Sequence, residues 1–143
     1  MQFSLYKCLN VFIAKRSTIR ISISAVVIED NRILLVRKNQ TWILPGGKPE
    51  GEESDIECLC RECKEELSGT LLKNISYYQN FQGKTPHKGD ILETKVYFAQ
   101  IDGKLNNASM EIGASEWVNN FSAYKISEIT SKVIESLKKD GYL

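Results

Sequence analysis

The stretch from Gly47 to Gly69, G-K-P-E-G-E-E-S-D-I-E-C-L-C-R-E-C-K-E-E-L-S-G, constrains the fold more than any other part of the chain. A glycine-rich turn runs into a segment that carries its own start and stop. Ser54-x-x-Glu57 is a capping box, with Ser54 as N-cap. Gly69 supplies the left-handed residue that ends a helix. The spacing predicts a helix from Asp55 to Leu67. Ile56, Leu59, Cys60, Cys63 and Leu67 recur at helical spacing and predict its buried stripe. Glu62, Glu65 and Glu66 stand at i, i+3 and i+4, within about 100° of arc. Like charges this close repel. A hard divalent cation, which takes carboxylate oxygens, is the usual agent that offsets the cost.

An arbitrary E-x-x-E-E is most often plain solvated surface. Here it follows a Pro45-Gly46-Gly47 turn and is joined by Glu53 and Arg61. Together these residues resemble the Nudix box, G-x5-E-x7-R-E-U-x-E-E-x-G-U, where U is a bulky aliphatic. Gly47, Glu53, Arg61, Glu62, Glu65 and Glu66 fall on it without a gap. Cys63 takes the first aliphatic position, Ser68 stands where the box has its last glycine, and Gly69 where it has its last aliphatic. The helix stop is displaced by one residue and every charged position is kept. The box covers 23 of 143 residues, and the flanking pattern, including Trp42 to Gly47, fits the same domain.

The resemblance implies an α/β/α sandwich with a mixed β-sheet, one Nudix domain over residues 1–143. It also implies hydrolysis of a nucleoside diphosphate linked to another moiety, with Mg2+ as cofactor and Mn2+ as its substitute. Carried over residue by residue, Glu62 and Glu66 are the leading metal ligands, Glu65 follows, and Gly47 offers its backbone carbonyl. Arg61 holds Glu53 or Glu62 through a bidentate contact, and Glu53 orients the ligands or joins them. The base is Glu62 or a carboxylate from a later loop, for which Glu111 is the leading choice and Glu116 and Glu93 are weaker. (d)NTP-type nucleotides come first as substrate. ADP-ribose, nucleotide sugars and dinucleoside polyphosphates follow. A Nudix-fold protein that binds nucleotides without cleaving them usually lacks box carboxylates, and this chain keeps them.

Outside the box, the signals are softer. The segment Gln82 to Asp90, with Gly83, Pro86 and Gly89, reads as a loop. Its Lys84, His87 and Lys88 are candidates for a phosphate contact, against the plain alternative of a solvated hairpin tip. Trp42 is a candidate to stack on a base, against a core role beside the Pro-Gly-Gly turn. Ile19 to Ile28, Arg32 to Arg37, Leu71 to Phe81, Ile91 to Ile101 and Glu116 to Val118 read as strands. Asp102-Gly103 reads as a turn. Ser127 to Gly141 reads as an amphipathic helix with Ile129, Val133, Ile134 and Leu137 inward.

A hydrophobic fraction of 42% and a formal net charge of +1 fit one folded domain. They give no global drive toward nucleic acid or a membrane, so the expected partner is a small-molecule nucleotide; a homodimer is compatible. Cys58, Cys60 and Cys63 lie within six residues on one predicted helix, where disulfides would fight the geometry. Cys60 and Cys63 read as small core fillers, and reduced thiols suit a cytoplasmic protein. Residues 1–17 read as an extension packed on the domain, since they lack a basic leader and are too short to span a bilayer, with a signal peptide as the second choice.

Overall fold

The computed structural model describes residues 19–85, 90–105 and 115–143. The extension at residues 1–17 lies outside them, as do His87, Lys88 and Glu111. The centre of the molecule is a mixed sheet. Strand β1 (Arg20–Val26) pairs in parallel with β7 (Ile91–Gly103), from Arg20 opposite Leu92 to Val26 opposite Phe98. The short β5 (Gly46–Gly47) adds antiparallel to the other side of β1, and β6 (Thr70–Lys84) adds antiparallel to β7, giving the order β5-β1-β7-β6. A second sheet is built on β3 (Arg32–Lys38), which pairs with β2 (Ile28–Glu29), β4 (Thr41–Ile43) and β8 (Ser115–Val118). Helices α1 (Asp55–Glu66) and α2 (Glu128–Lys139) cover opposite faces. This is the α/β/α sandwich that the box resemblance implies.

Alternation along β1 sorts the core into two halves. Ile23, Ala25 and Val27 pack with Leu34, Val36 and the α1 residues Cys58, Leu59, Cys63 and Leu67. Val26 faces the other way, among Ile33, Leu35, Val96, Val118 and the α2 residues Ile129, Val133, Ile134 and Leu137. Leu59 and Leu67 are fully buried, which stabilises the seat of α1 by about 1.5–3 kcal/mol per side chain. β3 is flanked by two-residue turns, Asp30-Asn31 and Asn39-Gln40, with all four residues at φ between 49° and 67°. Paired left-handed residues match the twist of hairpin strands, and they fix where Lys38 leaves the sheet.

Three local expectations need correction. Leu71 to Phe81 is part of one strand reaching Lys84, with register irregularities after Lys73 and Tyr77; Gln82, Gly83 and Lys84 pair with Glu93, Leu92 and Ile91, so the loop is shorter than its polar residues suggest. Asp102 and Gly103 stay in the ladder, opposite Leu71 and Thr70. On α1, Ile56 and Cys60 are exposed and Cys58 is buried in their place. The helix is rolled by roughly 60° from the orientation its hydropathy favours, toward its acidic residues. Among the described residues no helix is long and apolar enough to cross a membrane.

Candidate active site

The roll of α1 has a cause: its carboxylates are seated against β5. The helix begins where the capping box predicts. Ser54 Oγ accepts from the Glu57 amide at 3.1 Å, and Glu57 Oε1 accepts from the Ser54 amide at 3.4 Å. At the other end of α1, Glu66 Oε1 accepts from the Gly46 amide and from Lys38 Nζ, each at 3.3 Å. The same ammonium donates to the Gly46 carbonyl at 3.3 Å. Among the described residues Glu66 Oε2 is buried with no hydrogen-bond partner. Burial pushes the Glu66 carboxyl up to about 7, against the opposing pull of Lys38 and the Gly46 amide.

Glu62 lies one turn earlier and packs on the bare Cα of Gly47, where an added Cβ would overlap the carboxylate. Arg61 fixes it in place. Arg61 Nε and Nη2 grip both oxygens of Glu53 at 2.7 and 2.9 Å, Nη1 donates to Glu62 Oε1 at 3.0 Å, and Nη2 donates to the Lys48 carbonyl at 3.1 Å. The Glu50 amide donates to Glu53 Oε1 at 2.7 Å. Together the arginine and this amide hold the Glu53 carboxyl down at about 2, and Glu53 in turn raises the Arg61 guanidinium. One planar side chain thus ties the turn before the helix to the helix itself. Cys58 Sγ lies 3.7 Å from the Gly47 carbonyl, and burial pushes its thiol up to about 11, so it stays a protonated donor.

Above this seat opens a cleft of about 500 Å³. Its walls include Glu62, Gly46, Gly47 and the ammonium-bearing Lys38, Lys48 and Lys84. Ser22, Ser24 and Thr94 line it from β1 and β7, with Ser22 Oγ and Thr94 Oγ1 2.7 Å apart. The N-terminal residues of α2, Ser127, Ile129 and Thr130, close the far side.

The model of the NUDIX domain matches residues 18–136. The chain belongs to the Nudix hydrolase family. No curated protein sequence matches it. Solved structures share the Nudix fold at low identity. A MutT NUDIX hydrolase from Burkholderia pseudomallei superposes with a TM-score of 0.66 at 24% identity, over 82% of this chain and 96% of that one. A NUDIX hydrolase from Nitrosomonas europaea gives 0.69 at 19%, over 85% and 89%. A MutT protein from Bacillus halodurans gives 0.65 at 22%, over 81% and 80%.

Within this Nudix fold the box residues Gly47, Glu53, Arg61, Glu62 and Glu66 come together, whereas Glu65 is exposed on the outer side of α1. As the side chains stand, no three His, Cys, Asp or Glu residues among the described ones converge to hold a metal ion. The donors nonetheless fit a hard cation. Two carboxylates one helical turn apart face a glycine strand, and one of their oxygens is buried without a partner. Of the two roles weighed for Trp42 the structure shows the core one: it is 8% exposed, edge-on to Tyr124, and does not line the cleft. Lys84 does reach the cleft, and its amide is held by Glu128 Oε2 at 2.9 Å. Sequence reasoning missed Lys38, Ser22, Ser24 and Thr94. The I-S-I-S alternation of β1 was the available signal for the two serines; it reads as a wet face but is the side of a cleft.

Proposed function

We propose that this Nudix protein hydrolyses a phosphoanhydride of a small nucleotide, with nucleoside triphosphates as the first substrate class. The observation that carries the reading is the partnerless, buried Glu66 Oε2 beside Glu62 and Gly47. A carboxylate oxygen removed from water and left unpaired costs several kcal/mol, and a cation on that side offsets it. Glu62, Glu66 and the Gly47 carbonyl are the residues that would hold Mg2+, or Mn2+ in its place, with Glu65 joining after a rotamer change. When bound, the ion supplies neutralisation of phosphate charge and a more acidic attacking water.

The chain's own residues do the rest. Arg61 holds Glu62 Oε1, and Glu62, which lines the cleft, takes the proton of the attacking water when it serves as base in place of a purely ligating role. Glu111 is the alternative base. The water oxygen bonds to phosphorus as the bridging P–O bond breaks, and the leaving phosphate carries off the bond's electron pair. Lys48 and Lys84 bind phosphates away from the reacting atom, joined by His87 and Lys88 in the same reading. The hydroxyls of Ser22, Ser24 and Thr94 bind the polar sugar or base. The three described cysteines are free thiols, in keeping with a cytoplasmic protein.

Turnover of a panel of nucleoside triphosphates, nucleotide sugars, ADP-ribose and dinucleoside polyphosphates with Mg2+, followed by 31P NMR, tests this. Preference for a triphosphate supports the first class. Tight binding of one compound with no product from any would replace hydrolysis by sensing.

A further inference from the structure

Lys38 stands where nothing in the box calls for it. Its ammonium bonds to Glu66 Oε1 and to the Gly46 carbonyl, a carboxylate and a backbone oxygen, the donor set of a cation site. The two partners differ in freedom. The Glu66 side chain is 10% exposed and pinned by the Gly46 amide, whereas the Lys38 side chain is 45% exposed and lines the cleft. The Asn39-Gln40 turn holds the Lys38 backbone in place, so exchange of partners is a matter of side-chain rotation alone.

We propose that Lys38 is a built-in counter-ion for Glu66: an arriving divalent cation displaces its ammonium, which swings into the cleft and binds the anionic ligand. The inference rests on the reading of Glu62 and Glu66 as cation ligands. It gives Lys38 two successive partners, a carboxylate in the metal-free protein and a phosphate in the loaded one. Cation loading and ligand binding are then coupled through one side chain. An ammonium at 3.3 Å and a divalent ion on the same carboxylate repel at short range, and Lys38, unlike the Arg61 on Glu62, has no second carboxylate among the described residues to hold it there. A lysine suits the exchange better than an arginine, because a point charge on a flexible stem loses little geometry when it changes partner.

The test is amine acetylation of the full chain, quantified at Lys38 by mass spectrometry with exposed Lys139 as internal standard. Labelling of Lys38 should be slow in EDTA, rise about fivefold with Mg2+ or Mn2+, and fall again when a methylene-bridged nucleoside triphosphate is added with the ion. No rise with the ion, or no protection by the analogue, overturns the proposal. In Lys38→Met, Mn2+ alone should bind about fivefold more tightly, the lysine no longer competing; unchanged or weaker binding also overturns it. Mn2+ titration of Glu66→Gln separates the two levels. Unweakened binding there removes the cation reading and this inference with it. Weakened binding with a static Lys38 label removes the inference alone.

Discussion

Arg61 grips Glu53 through two parallel hydrogen bonds of 2.7 and 2.9 Å while its remaining nitrogen holds Glu62 at 3.0 Å. Arg61→Lys keeps the charge and loses the fork. The expected result is a kcat lower by about 10–100-fold with little change in KM, because an orienting contact rather than a substrate contact is lost. A large rise in KM at unchanged kcat would place Arg61 on the substrate instead.

The same pair sets an acid limit. Glu53 is depressed to about 2 in the fold from an ordinary 4.5. Its contribution to stability is therefore present above about 4.5 and lost as pH falls from there toward 2. Thermal melts of wild type and Glu53→Gln should converge across that window and differ above it. Parallel curves would mean that the ion pair adds nothing to stability.

Glu66 works in the opposite direction. Its carboxyl rises from 4.5 to about 7 on folding, so in EDTA the protein is favoured with this group protonated. That contribution is full below about 4.5 and lost as pH rises through 7, a span of about 3 kcal/mol. Glu66→Gln should therefore melt higher than wild type at pH 8 in EDTA and match it near pH 4.5. In Mg2+ the order at pH 8 should reverse, since an ion bound only to the native state stabilises it. The same order in both buffers would count against an ion on Glu66.

Adjacent glycines should fail differently. Gly46 has φ 144° and its Cβ would strike the Ile23 carbonyl, so Gly46→Ala should destabilise by about 2–4 kcal/mol. At Gly47→Ala the nearest atoms belong to the Glu62 side chain, which can shift where a backbone carbonyl cannot. This variant should stay folded, with activity down by about 10²-fold from a misplaced carboxylate. Denaturant melts alongside kinetics check the pair, and equal stability losses would refute the distinction.

Lys84→Ala removes a charge from the cleft wall and none from the seat of Glu62 and Glu66. KM should rise severalfold with kcat nearly intact. An unchanged KM on the best substrate would leave Lys84 a solvated strand end.

What was legible in the sequence was what short-range rules govern. Ser54 and Glu57 announce the start of α1 through bonds that need no tertiary partner, and both are made. The Pro-Gly-Gly turn is legible for the same reason. The roll of α1 was not, because hydropathy treats Glu66 as a residue that seeks water. It is buried by a backbone amide and a lysine 28 positions away. Lys38 is decided by what β5 and α1 bring beside it, which no local pattern encodes. The polar run after Phe81 misled for a simpler reason: on an edge strand such as β6, an outward face of Gln and Lys is as natural as a loop.

The parity of β1 has an evolutionary reading. Its odd positions, Ile23 and Ala25, bed the helix that carries the carboxylates; its even ones, Ser22 and Ser24, line the cleft. One strand thereby keeps two ledgers that point mutations can edit separately. Exchanging a serine for another small side chain alters which ligand sits well and leaves the seat of α1 untouched. Exchanging an isoleucine disturbs the seat and spares the lining. A fold wired this way can drift among ligands while its chemistry stands still.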